Sequence, residues 1–179
     1  MSNQGWQVAR IEDLRSNWET PVGGVVATAE EQEAILREHD PKALGRWQAF
    51  AARYPDSDRT SHAIRRHFGI NSFGINAYRA SAGSPLIVPH DEKDYGQEEL
   101  HIVVAGRARF RCDGEEVELG AGELLYARPE VQREAVALET PTLLVVVGGS
   151  PGKPYAPPSW APDWTPTEAE GSSATPPDG

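Results

Sequence analysis

Between residues 70 and 150, hydrophobic and polar residues alternate with a period of two, as in β-strands that bury one face. Gly, Pro and Asp-Gly separate eight short runs of this alternation, and Asp113-Gly114 predicts a tight hairpin. We predict strands at residues 73–79, 86–88, 98–105, 107–112, 115–119, 123–127, 133–138 and 142–147. Many short strands at close spacing indicate a mainly β sandwich or barrel, and the pattern alone does not choose between the two.

Residues 1–69 contain helical signals instead. The stretch Thr28-Ala29-Glu30-Glu31 has capping-box spacing and predicts a helix to about Glu38, and Asp40-Pro41 predicts the start of a second helix. The second helix has an apolar face formed by Leu44, Trp47, Ala51 and Tyr54. One more helical turn is expected at residues 61–68, ended by Gly69. Because the apolar face needs a surface to cover, we expect residues 1–69 to pack on the β domain of residues 70–150.

Residues 151–179 form a tail that contains eight of the fifteen prolines. Proline removes a backbone donor, so the tail can continue neither a sheet nor a helix. Trp160 and Trp164 are large aromatic residues that favour burial, so we expect residues 151–164 to pack partly on the barrel or sandwich. Residues 165–179 have a low-complexity composition, which predicts disorder.

Composition restricts the classes of function. The formal net charge of −10 disfavours nonspecific binding to nucleic acid or to anionic membranes. Cys112 is the only cysteine, which excludes an intramolecular disulfide and suits a reducing compartment. The first ten residues do not resemble a signal peptide, and the longest apolar run, residues 143–147, is too short to cross a bilayer. We therefore expect a cytoplasmic protein.

The stretch of residues 96–138 resembles the cupin family. Glu99 and Gly106 match the Glu and Gly of the first cupin motif, with the six residues LHIVVA between them, and Gly122 and Pro129 match the second motif. From Phe73 onward the chain is similar to small bacterial single-domain cupins with degenerate metal motifs, and this resemblance covers about half of the chain. It implies a mainly β fold, the cupin-type antiparallel β-barrel (double-stranded β-helix or jelly roll), with N-terminal helices and a disordered C-terminal tail.

The chain departs from the cupin pattern where a metal would bind. The His-x-His pair of the first motif is missing, and His90-Asp91-Glu92 stands nearby at a different spacing from Glu99. Arg133 occupies the position of the second-motif histidine, and a guanidinium has no lone pair to offer to a metal. A site of three histidines and one glutamate is therefore absent from this sequence.

A different metal site is still conceivable from the residues present. Strand alternation puts Glu99 and His101 on one face, and the inward Glu of the family implies that both point into the barrel. With His90 and Glu92 they offer two imidazoles and two carboxylates, which suits Fe, Mn, Zn or Ni. The competing interpretations are a solvated loop around His90, a core histidine at His101, and a buried pair of Glu99 with a cation.

Arg133 has two interpretations. It could hold a substrate carboxylate or phosphate through two parallel hydrogen bonds, or it could neutralise Glu99 in place of a metal. Tyr126 and Tyr78 are further candidates for binding the substrate, followed by His67 and Gln97.

These observations favour a metal-binding cupin that acts on a small, anionic organic molecule inside its barrel. The alternative is a metal-free ligand-binding or regulatory cupin with a buried Glu99–Arg133 pair. A third interpretation is a noncatalytic assembly module. A homodimer is one possible oligomeric state. The sequence specifies neither the reaction nor the substrate.

Overall fold

The computed structural model describes residues 6–18 and 27–156. A short 3₁₀ helix, Ile11–Asp13, comes first, followed by α1 (Ala29–His39), α2 (Pro41–Arg53) and α3 (Ile64–Phe68). No helix in the described part of the chain is both long and apolar enough to span a membrane.

The predicted helix signals are confirmed at α1 and α2. The Thr28 hydroxyl accepts a hydrogen bond from the Glu31 backbone N–H, and the Glu31 carboxylate accepts one from the Thr28 N–H. The Asp40 carboxylate accepts a hydrogen bond from the Ala43 N–H, and Pro41 stands in the first turn of α2. These side chains satisfy backbone donors that a helix start leaves without partners.

In the described residues, nine strands form two antiparallel sheets. The strands are β1 (Thr60–His62), β2 (Gly74–Ala80), β3 (Pro85–His90), β4 (Glu98–Ala105), β5 (Arg107–Cys112), β6 (Glu115–Gly120), β7 (Leu124–Ala127), β8 (Arg133–Ala137) and β9 (Thr142–Gly149). One sheet has the order β1-β2-β9-β4-β7 and the other has the order β3-β8-β5-β6. The predicted hairpin joins β5 to β6, with Asp113 and Gly114 both at positive φ. The described residues are mainly β, with the two antiparallel sheets expected of the predicted barrel.

The prediction of a helical turn over residues 61–68 is wrong in its first half. Thr60–His62 forms β1, which pairs with β2 and so covers the backbone groups of its edge, and only Ile64–Phe68 is helical. The strand predicted at residues 86–88 is also longer than expected. It runs from Pro85 to His90 because its ladder with β8 continues to the pair His90–Arg133.

Two apolar clusters hold these layers together. The first lies between the sheets and includes the fully buried Leu86, Val103, Phe110 and Leu144. The second lies on the outer face of the five-stranded sheet, where Leu14 and Ile64 cover Ala77 and Val145. The N-terminal segment therefore packs on the barrel through the regions around Leu14 and α3.

Within the described part of the tail, Tyr155 contacts the rest of the molecule. Its ring lies against Gly74, where a Cβ atom would come within 2.8 Å of the ring, and Arg65 stacks on it at 5.5 Å. The remaining residues of the tail, including Trp160 and Trp164, lie outside the described residues.

Candidate functional site

A cavity of about 540 Å³ lies between α2, the β1–α3 region and the interior of the barrel. Polar contacts anchor both ends of α2: the Tyr95 hydroxyl donates to Asp40 at 2.9 Å, and Arg53 contacts Glu134 of β8 at 3.1 Å. No residue of α2 is buried. The apolar face predicted for this helix is half-buried, and the helix contacts β3 without being fully covered. Trp47 and Ala51 of this face line the cavity.

The inner wall of the cavity carries a cluster of charged side chains from both sheets. The register of β3 with β8 puts His90 opposite Arg133. Glu99 comes from β4 in the other sheet, beside Gly148 of β9, where a Cβ atom would contact the Glu99 side chain at 3.4 Å. Glu92 follows β3, and its backbone N–H donates to the Pro129 carbonyl at 2.8 Å, which fixes the loop.

Arg133 and Glu99 form a buried ion pair. Both Nε and one terminal nitrogen of Arg133 donate to Glu99 Oε2, at 3.1 and 2.7 Å, and the other terminal nitrogen donates to the Val131 carbonyl at 3.0 Å. Arg133 is 1% exposed, and the Glu99 side chain is 14% exposed. Burial alone would raise the pKa of Glu99, but the permanent charge of Arg133 and its hydrogen bonds outweigh burial and lower that pKa. The carboxylate is therefore ionised at neutral pH.

His90 and Glu92 lie beside this ion pair on the cavity wall. His90 Nε2 is 3.5 Å from Glu92 Oε1 and 3.9 Å from Glu99 Oε2. Burial lowers the pKa of His90, which favours the neutral imidazole. Burial, with the nearby Glu99 charge, raises the pKa of Glu92 to about 7. Glu92 is thus a carboxyl group that gains or loses its proton near neutral pH.

His101 lies deeper in the barrel than the other candidates. Its side chain is completely buried, its ring packs edge-on against Phe110 with centroids 5.4 Å apart, and Nε2 is 3.4 Å from Glu99 Oε2. Neither ring nitrogen has a partner with hydrogen-bond geometry in residues 6–18 and 27–156. Burial lowers the pKa of His101 to about 4, so the ring is neutral at physiological pH.

The cluster brings together donors for a metal but also holds a permanent cation. His90, Glu92 and Glu99 each offer one ligand atom, and these atoms lie within 4.8 Å of one another. The two hydrogen bonds from Arg133 occupy Glu99 Oε2, and its guanidinium is 4.0 Å from Glu92 Oε1. A divalent ion at about 2.1 Å from Glu99 Oε2 would lie within roughly 5 Å of that guanidinium. In this arrangement Arg133 already neutralises Glu99, and its charge disfavours a divalent cation beside that carboxylate.

The outer wall of the cavity contains arginines that the sequence analysis did not identify. Arg59, in the connection before β1, donates from Nε to the Leu86 carbonyl at 2.9 Å and stacks on the ring of Tyr78 at 4.3 Å. Arg66 is 7% exposed and donates to the Asn17 carbonyl at 3.0 Å. Arg59 occupies an irregular segment with no periodicity, and Arg65-Arg66-His67 is too short a run to indicate a basic patch.

Only some of the residues predicted to bind the substrate lie on the cavity wall. Tyr78 and Gln97 lie on the cavity wall. Tyr126 does not reach it: its side chain is 56% exposed on the outer face of β7, opposite Leu100. Arg133 is not on the wall either, since its guanidinium is buried against Glu99. His67 is exposed on α3, against Phe68.

One family model matches part of the chain. Residues 74–139 match the model of the AraC-like ligand binding domain. No curated protein sequence matches the chain.

Several solved structures are similar in fold. A cupin protein from Bacteroides fragilis is 20% identical, with a TM-score of 0.47 over 56% of this chain and 83% of that chain. A sugar phosphate isomerase from a cupin superfamily, from Silicibacter pomeroyi, is 22% identical, with a TM-score of 0.46 over 50% of this chain and 58% of that one. KdgF from Halomonas sp. is 21% identical, with a TM-score of 0.43 over 52% and 78%.

Proposed function

We propose that the cupin domain of this chain binds a small organic molecule in the cavity beneath α2 and does so without a resident metal ion. The cavity volume of about 540 Å³ is in the usual range for small-molecule sites. Its wall combines aromatic side chains with a few charged groups, which is the composition such sites need for contact area and for orientation. The match to a ligand-binding domain over residues 74–139 supports binding as the general role.

The Arg133–Glu99 pair is the observation that supports ligand binding without a metal ion. In a metal-binding cupin, the barrel carboxylate and the second-motif residue would coordinate the ion. Here the second-motif position is a guanidinium that donates two hydrogen bonds to that carboxylate. A buried carboxylate must be paired or coordinated, and Arg133 meets that need by itself. The function is therefore that of a binding or regulatory domain.

A metal centre is the second candidate, because His90, Glu92 and Glu99 converge. The metals that suit this donor set are Fe, Mn, Zn and Ni, and His101 is the fourth residue of the set predicted from the sequence. A metal bound as predicted would share Glu99 with Arg133, whose two hydrogen bonds both go to Oε2. The ion pair alone and the metal centre are the two alternative arrangements of this cluster.

Elemental analysis of protein purified without a metal-affinity tag separates the two candidates. We expect transition-metal content far below one ion per chain, and a melting temperature that neither EDTA nor added Fe, Mn, Zn or Ni changes. A thermal-shift screen of small organic acids, sugars and amines in EDTA should then find compounds that stabilise the chain.

The proposal is wrong if the purified chain contains one metal ion per chain and the His90→Asn variant loses that ion. The control is His67→Asn, which should keep the ion because the His67 imidazole is on the surface. Arg133→His is a second discriminator: it breaks the pair and destabilises a metal-free barrel, but it adds a ligand to a metal site. The homodimer and the cytoplasmic location expected from the sequence stay predictions.

A further inference from the structure

The charges on the cavity wall differ from those of the rest of the molecule. The chain carries a net charge of −10, yet the wall holds four arginines, Arg46, Arg59, Arg65 and Arg66, against Asp40, Glu92 and Glu99. Two of these carboxylates already have polar partners: Asp40 caps α2 and accepts from Tyr95, and Glu99 accepts from Arg133. The wall thus carries one more arginine than carboxyl group, in a protein with a net charge of −10.

Arg59 is the most precisely held of these cations. Its Nε–H···O bond to Leu86 fixes the plane of the guanidinium, and the group lies 4.3 Å from the ring centre of Tyr78 and 6.0 Å from that of Phe50. No carboxylate among the described residues lies within ion-pair distance of Arg59. Burial lowers its pKa, which is the expected response of a desolvated cation without a counter-ion.

A fixed guanidinium that faces a cavity, with no counter-ion in the described part of the chain, is suited to a carboxylate because its donors match the two oxygens. The surroundings of Arg59 define the rest of the ligand. Trp47, Phe50 and Tyr78 line the cavity near the N-terminal segment, with Ile75 and Val146 contributed by the five-stranded sheet. The wall also contains polar side chains, such as Ser61, Asn76 and Gln97. The ring faces and aliphatic surface nevertheless provide contact area for a flat apolar body joined to the carboxylate.

We propose that Arg59 anchors the carboxylate of an aromatic monocarboxylic acid whose ring lies among Trp47, Phe50 and Tyr78. This inference rests on the proposed function, in that it names the chemical class of ligand for the same cavity. Arg59 then has the role that the sequence analysis expected of Arg133. The residue that binds the anion comes from the N-terminal segment and not from the barrel motif.

The test compares one carboxylate with its neutral counterpart on the full chain in EDTA. The probes are 1-naphthaleneacetate and 1-naphthaleneacetamide, which share the ring system and differ in charge, with acetate as a probe that lacks the apolar body. Calorimetry should show the carboxylate binding at least about tenfold more tightly than the amide, as expected of charge-assisted hydrogen bonds. Acetate should bind far more weakly than either.

Substitutions at Arg59 test whether this residue causes the preference for the carboxylate over the amide. Arg59→Met should remove the advantage of the carboxylate while leaving amide binding in place, and Arg59→Lys should keep part of it. Arg109→Met is the matched control, because Arg109 lies on the outer surface, paired with Glu118. The comparison of the two probes on the unmodified chain needs no variant, so it remains decisive if Arg59→Met does not fold.

Equal binding of the two probes, or a preference that survives Arg59→Met, overturns the assignment. Absence of binding by both ring-bearing probes also overturns it, whereas the proposed function stands if other compounds stabilise the chain in EDTA. Binding of any compound only after metal addition overturns the proposed function instead, and Arg59 is then judged by the same variants on metal-loaded protein.

Discussion

Arg133 and Arg59 place the same chemical group in two different settings of one molecule. Arg133 is buried between the sheets, and both its Nε and a terminal nitrogen donate to Glu99. Arg59 lies on the wall of the cavity, stacked on Tyr78, with no carboxylate among the described residues within ion-pair distance. One guanidinium neutralises a charge of the protein itself, and the other has no carboxylate counter-ion among the described residues.

The difference shows how the position of a cation determines what it can do. A buried ion pair adds little net stability, but removing one partner leaves a charge that nothing compensates. A cation at the edge of a cavity keeps partial contact with water, so the fold depends on it less, and a ligand anion can replace that water. We therefore expect Arg133 to be structural and Arg59 to be important for binding.

The largest effect should follow from Arg133→Met. The substitution leaves the Glu99 carboxylate buried without its main partner, and we expect a loss of about 3–5 kcal/mol in the free energy of unfolding. Urea denaturation followed by circular dichroism measures this loss. The double variant Glu99→Gln/Arg133→Met should recover much of it, because no buried charge remains. A single variant as stable as the parent chain would mean that the two groups are not coupled.

Much of this barrel could be predicted from the sequence because strand alternation is a local signal. The alternation in the run from Glu98 to Ala105, with the family's inward Glu, put Glu99 and His101 on the interior face, and both side chains are indeed inside. The residues of β7, Leu-Leu-Tyr-Ala, show no alternation, so the sequence did not reveal which face Tyr126 would occupy. The structure puts Tyr126 outside.

The partners of the charged groups could not be predicted, because they depend on register and on segments without periodicity. The pairing of His90 with Arg133 follows from a ladder between β3 and β8 that contains two register shifts. Arg59 reaches the cavity from an irregular connection, where no pattern indicates direction. The Glu99–Arg133 pair could nevertheless be predicted as one of two alternatives. An inward Glu and an Arg at the second-motif position are both charged, and buried charges need a partner.

Glu92 should make the stability of the charge cluster depend on pH. Its folded-state pKa of about 7 lies above the usual 4.5, so its contribution to stability is fully present below pH 4.5 and is lost as the pH rises through 7. Glu92→Gln keeps the neutral form at every pH. Relative to the parent chain, the variant should therefore gain about 2 kcal/mol between pH 5 and pH 8.

Urea denaturation at the two pH values measures the gain of Glu92→Gln, and Glu115→Gln, an exposed carboxyl on β6, is the control. A pH-independent difference between Glu92→Gln and the parent chain would contradict the raised pKa.

His101 should contribute a pH dependence of the opposite sign. Its folded-state pKa of about 4 lies below the usual 6.5, so its contribution is present above pH 6.5 and is lost as the pH falls towards 4. His101→Leu removes the proton-binding group at similar volume. Between pH 7 and pH 5 the variant should gain about 1–2 kcal/mol relative to the parent chain. The measurement is again urea denaturation, and a gain on raising the pH instead would show that the ring is protonated in the folded state.

The smallest effect on stability should come from Arg59→Met, the same substitution as at Arg133. It removes one hydrogen bond to Leu86 and the stacking on Tyr78, which together favour the arginine, but it also relieves the desolvation of a cation that has no counter-ion. These contributions oppose each other, so the free energy of unfolding should change by less than about 1 kcal/mol. Measured beside Arg133→Met under identical conditions, this variant compares the two settings directly. A loss as large as that of Arg133→Met would mean that Arg59 also compensates a charge of the protein, and it would then be a structural residue rather than a ligand anchor.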